Sequence, residues 1–148
     1  MKKVLVLHGV NLNMLGERDP NQYGKATLGE INSEIMKLAG DLDLEVECFQ
    51  TNHEAEMIEK IHRSHGEGID AVVINAGAWT HYSYALMDAL NILTIPVIEV
   101  HMSQVEARES FRQHSVITPL AKGKITGFGV NSYLLGLRAA RDLIKDEE

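Results

Sequence analysis

One cysteine, Cys48, stands in 148 residues, so the chain cannot form an internal disulfide framework, and a reducing cytoplasm is the compartment that fits. Flanked by Glu47 and Phe49 in a strand-like pattern, this thiol reads as a packing group rather than a nucleophile. Basic charge is also short. Lysine and arginine total 14 against 21 acidic residues, the net charge is −7, and no basic run exceeds two neighbours. Nucleic acids and anionic membranes need a concentrated basic face, so neither is an expected partner. A small anionic ligand needs only one or two placed cations and stays open. No apolar run approaches the roughly 20 residues of a membrane span. The N-terminal MKKVLVLHG has two lysines before an apolar run, but the run is too short for a signal peptide and no small-residue cleavage site follows. Low-complexity tracts and internal repeats are absent too, and a single domain over residues 1–148 is expected.

What the chain does have is alternation. Apolar strand patterns at residues 3–8, 44–50, 71–74, 96–101 and 124–128 are separated by helical ones. Leu28, Ile31, Ile35 and Leu38 repeat at helical spacing, as do Met57, Ile58 and Ile61, then Tyr82, Leu86, Ala89, Leu90 and Leu93, then Tyr133, Leu137, Ala140 and Ile144. A short helix is expected over residues 105–112. Five strands alternating with helices imply an α/β fold with a parallel sheet and right-handed crossovers. At this length the flavodoxin-like order 2-1-3-4-5 is expected, with helices on both faces and a ligand site at the carboxyl ends of strands 1 and 3.

Residues 9–24, GVNLNMLGERDPNQYG, join the first strand to the first long helix and fit no periodicity. Most such connections run about 2–6 residues, and loops beyond about 12–15 are functional more often than not. This one carries Asn11, Asn13, Arg18 and Tyr23, and Pro20 is expected to break any helix within it. A phenol titrates near pH ~10, so a tyrosine base needs a cation that favours the phenolate, and Arg18 is the candidate in the loop. Glu99 and His101 are two apart on a strand, so they share a face. A carboxylate there would fix the imidazole tautomer and prepare it for acid–base work. Asn75 ends strand 3 beside Gly77, where an amide could support an oxyanion. Arg112 could grip a carboxylate with both prongs of its guanidinium.

These stretches, together with TNHEAEMIEKIH (51–62), INAGAWTHYSYALMDAL (74–90), PVIEVHMSQVEARESFR (96–112) and GKITGFG (123–129), resemble the type II 3-dehydroquinate dehydratases across most of the chain. The resemblance implies a flavodoxin-like subunit, a homo-oligomer built as a dodecamer of trimers, and no metal or organic cofactor. It implies anti elimination of water from 3-dehydroquinate through an enolate, in the shikimate/quinate pathway. Tyr23 would be the base at C2, with Arg18 making it more acidic and Asn11 holding the geometry. Asn75, through a water, would stabilise the enolate, and His101, oriented by Glu99, would protonate the departing hydroxyl. His81, Met102, Ser103 and Arg112 would hold the substrate, and Asp88 would reach a neighbouring subunit's site. Val10 stands where the family usually has Pro, Ala55 where it commonly has Gly, Gln104 for Asn and Asp19 for Glu; none removes a proposed catalytic group.

Other readings compete. His62 and His65, three apart on one helix, suggest a metal pair, but no further ligand is obviously placed to complete a site. Gly127-Phe-Gly129 resembles a dinucleotide loop only faintly, because it follows the last strand and Ser132 takes the third glycine's place. A non-catalytic flavodoxin-like binding or signalling module is the alternative class. A receiver domain would carry an acidic cluster after strand 1, where this chain has His8-Gly-Val-Asn.

Overall fold

The computed structural model describes residues 1–17 and 19–145. Five strands form one parallel sheet: β1 (Lys2–His8), β2 (Leu44–Gln50), β3 (Ala71–Asn75), β4 (Val97–His101) and β5 (Gly123–Thr126), ordered β2-β1-β3-β4-β5. This is the expected 2-1-3-4-5 arrangement. Helices α2 (Leu28–Asp41) and α5 (Val130–Leu143) cover one face, and α3 (Glu54–Ser64) and α4 (Tyr84–Ile92) cover the other.

Strand periodicity divides the core in two. Val4, Val6, Ala71, Val73, Ile98 and Val100 face α2 and α5, where they pack on Ile31, Ile35, Tyr133 and Leu137. Leu5, Leu7, Val72, Ile74 and Val97 face α3 and α4, against Met57, Ile61, Leu86 and Leu90. All five residues of β3 are buried, as a central strand covered on both faces requires. Helix α2 begins at an N-cap, Thr27, whose hydroxyl accepts from the Glu30 amide at 3.2 Å and donates to the Glu30 carboxylate at 3.2 Å. Cys48 is half-buried against the α2/α5 core, and burial pushes its thiol up to about 11, the behaviour of a packing group.

The loop after β1 differs from expectation. Pro20 does not break a helix there but starts one, α1 (Pro20–Tyr23), with Asp19 as N-cap accepting from the Asn21 amide at 3.0 Å. The missing N–H of proline is harmless at the first helical position, and its fixed φ suits that position. The short helix expected over 105–112 is instead two 3-10 turns, Val105–Ala107 and Ser110–Gln113, separated by extended Arg108 and Glu109.

Two glycines bring the loops after β1 and β3 together. A Cβ on Gly9 would lie 2.3 Å from the Ala76 carbonyl oxygen, and one on Gly77 (φ +62°) would lie 2.8 Å from that of Val10. At this packed junction the sheet order switches direction, and a cavity opens there.

Candidate active site

The carboxyl ends of β1, β3 and β4 open into a cavity lined by Asn11, Tyr23, Asn75, His81, His101, Met102, Ser103, Arg108 and Arg112. Its floor is set by the strand ends, because His8 pairs with Asn75 across β1 and β3, and Ile74 pairs with Glu99 across β3 and β4.

Glu99 is almost fully buried, with three donors on its carboxylate. His101 Nε2 lies 2.6 Å from Oε2, the Ser115 hydroxyl donates to Oε2 at 2.9 Å, and the Thr118 hydroxyl donates to Oε1 at 2.6 Å. Burial alone would raise the Glu99 carboxyl. The hydrogen bond and charge of His101, then the two hydroxyls, outweigh it and hold the group below the ordinary carboxylate value. An ionised Glu99 accepts a proton-bearing Nε2, so Nδ1 of His101 is the nitrogen left for the cavity.

His81 lies half-buried at the mouth. Its Nδ1 donates to the His114 carbonyl at 2.8 Å, and its ring meets Phe111 edge-on at 5.7 Å. Burial lowers its pKa, opposed by that carbonyl and helped by the nearby His101 and Arg112, so Nε2 is an acceptor near neutral pH. Arg112 stacks on Phe111 at 4.7 Å and bonds Glu109 at 3.1 Å. Asn11 holds a left-handed backbone, φ 69°, and donates its N–H to the Asn52 side chain at 2.8 Å. Positive φ at a non-glycine costs on the order of 1–3 kcal/mol, and such conformations cluster at ligand sites.

Of the residues singled out in the sequence, Tyr23, Asn11, Asn75, His81, His101, Met102, Ser103 and Arg112 share this cavity, with Glu99 directly behind His101. Arg18 lies outside the described residues. Asp88, exposed on α4, does not line the cavity of its own chain. Sequence reasoning passed over Arg108. Its guanidinium stands 5.2 Å over the Tyr23 ring and donates to the Ser103 hydroxyl at 3.1 Å. It also passed over Ser115 and Thr118, which clasp Glu99. Arg108 precedes Arg112 by four residues, a spacing that a regular helix would have put on one face. The extended backbone at Arg108 and Glu109 turns it toward Tyr23 instead. Among the described residues, no three His, Cys, Asp or Glu side chains converge as a metal site would require.

Residues 2–141 match the Dehydroquinase class II family. The chain belongs to this family. A 3-dehydroquinate dehydratase of Syntrophotalea carbinolica is 66% identical over 147 residues, covering 99% of both chains. One from Pelobacter propionicus is 62% identical over 144 residues, covering 97% of both. The crystal structure of a type II dehydroquinase from Butyrivibrio crossotus superposes with a TM-score of 0.92 at 43% identity, covering 94% of this chain and 97% of that one. Class II dehydroquinase membership thus rests on near full-length matches in both sequence and fold.

Proposed function

We propose that this protein is a type II dehydratase that converts 3-dehydroquinate to 3-dehydroshikimate, using Tyr23 as base and His101 as acid. The observation that carries this reading is the meeting of a phenol from the loop after β1, an amide from the end of β3 and a carboxylate-held imidazole from β4 around one cavity. The Tyr23 phenolate takes a proton from C2, the carbon beside the C3 ketone, and the electron pair moves onto the carbonyl oxygen as an enolate. The Arg108 guanidinium stands 5.2 Å over the Tyr23 ring, and Arg18, from the same loop as the phenol, is the cation proposed to serve the base. Asn75 steadies the enolate with an amide N–H through a water, and Asn11 holds the loop geometry beside the phenol. The enolate then collapses, the C1–O bond breaks, and His101 donates a proton so that the group leaves as water. Ionised Glu99 stabilises the imidazolium that makes this donation. The two transfers balance and no electrons change hands, so the reaction as written calls for no redox cofactor. His81, Met102, Ser103 and Arg112 hold the hydroxyls and carboxylate.

The active form is a dodecamer, twelve chains assembled from trimers, in the cytoplasm, in which exposed Asp88 reaches the site of a neighbouring subunit. The test is to incubate purified, chelator-treated protein with 3-dehydroquinate and follow the ultraviolet band of the conjugated product. Steady growth of that band is expected; folded protein that produces none refutes the assignment.

A further inference from the structure

Two buried titratable side chains take no part in the chemistry above. His8 ends β1 and Tyr133 lies on α5, and both are at most 1% exposed. They lie on the sheet face covered by α2 and α5, behind Asn75, which itself lines the cavity. The Asn75 Nδ2 donates to the Tyr133 hydroxyl at 3.0 Å, that hydroxyl lies 2.9 Å from His8 Nδ1, and His8 Nε2 lies 2.8 Å from the Asn32 side-chain oxygen.

Donor and acceptor rules give this row one direction. An amide oxygen only accepts, so His8 carries its proton on Nε2. A neutral imidazole then offers a lone pair at Nδ1, and the Tyr133 hydroxyl must donate to it. The Tyr133 oxygen is left to accept, and it accepts the Asn75 N–H. The Asn75 oxygen is occupied by the Gly77 amide at 3.2 Å. One N–H of Asn75 is therefore left over at the cavity wall. A flipped amide would turn its oxygen toward the developing enolate and repel it.

We propose that His8 and Tyr133 form a positioning relay, anchored at Asn32, that fixes the direction of the Asn75 amide so that it presents a donor to the enolate. This rests on the role given to Asn75 above. Burial supports it: desolvation lowers His8 to about 4, against the hydrogen bond it donates to Asn32, so the ring is neutral at working pH. Burial likewise raises the Tyr133 phenol, keeping its proton in place.

The test combines kinetics with a neutron crystal structure of the wild-type protein. Tyr133→Phe keeps the ring and deletes the hydroxyl; kcat is expected to fall about 10- to 100-fold with KM changed no more than about threefold. In an Asn75→Ala background the same substitution is expected to lower kcat no further, since the relay acts through Asn75. A purely structural Tyr133 would give the same loss in both backgrounds, and that result overturns the proposal, as does a folded Tyr133→Phe variant with wild-type kcat. The neutron map decides independently of folding in the variant and of turnover. A deuteron on His8 Nε2 and none on Nδ1 supports the relay, and a deuteron on Nδ1 overturns it. Absent dehydration in wild type, by contrast, refutes the reaction and leaves the relay's direction to the map.

Discussion

Glu99 is a buried carboxylate whose partners are His101, Ser115 and Thr118, and replacing it with Gln removes the charge while keeping the shape. Such a variant loses the anion that stabilises an imidazolium, and kcat is expected to fall about 100-fold; initial rates with 3-dehydroquinate measure it, and an unchanged rate removes Glu99 from the acid step. Its folded pKa lies below the ordinary 4.5, so its stabilising contribution is complete above that pH and is lost as pH falls through the lower folded value. His8 works in a different window. Its pKa falls from 6.5 to about 4 on folding, so between those values the unfolded chain binds a proton that the folded chain refuses. Stability therefore drops as pH falls from 6.5 to 4, by on the order of 3 kcal/mol from this group. Urea unfolding of wild type and His8→Gln at several pH values should show a shallower slope for the variant in that window; equal slopes would mean His8 is not held neutral. The Glu99–His101 pair was legible in the sequence because a charge inside an apolar strand requires a partner, and the residue two along shares its face. Arg108, Ser115 and Thr118 were not. They come from irregular segments, where no periodicity says which way a side chain points.

Close approach of backbone and sheet sets the tolerance of whole elements. Helix α5 crosses the sheet at Gly136, where a Cβ would stand 2.7 Å from Val100 Cγ1 and 3.3 Å from Val73 Cγ1. Gly136→Ala improves helix propensity by up to about 1 kcal/mol, but overpacking costs about 1–3 kcal/mol. A net loss of about 1–2 kcal/mol is expected in chemical denaturation, and a stabilised variant would show that α5 has room to lift. Gly9→Ala should be worse. Its Cβ meets the Ala76 backbone at 2.3 Å, and Gly9 N–H bonds the Asn75 carbonyl at 2.7 Å, so both stability and turnover should suffer. The strands and long helices were readable because their apolar periods are sustained over several turns or pleats. The α1 turn and the broken 105–112 segment were not. Pro20 sits at the one helical position where proline is favourable, and the extended pair Arg108–Glu109 carries no sequence mark of its own.

For the molecule as a whole, strand order explains the site. Parallel strands ordered 2-1-3-4-5 bring the ends of β1, β3 and β4 side by side, and this much followed from five strands alternating with helices. Assembly was implied only by resemblance, because a subunit contact leaves no periodic trace in one sequence. Asp88 is exposed on α4 and does not line the cavity of its own chain. Sedimentation should give a mass near twelve copies of the 16.5 kDa chain, and Asp88→Ala should lower turnover while leaving the isolated chain's fold intact; a fully active monomer would contradict this. The division of labour between phenol and imidazole is tested most directly by hydrogen exchange at C2 of 3-dehydroquinate, followed by NMR in D2O. His101→Ala should exchange the C2 hydrogen above the buffer rate while forming little product, and Tyr23→Phe should do neither. A folded Tyr23→Phe variant that exchanges C2 as fast as wild type would contradict Tyr23 as the base.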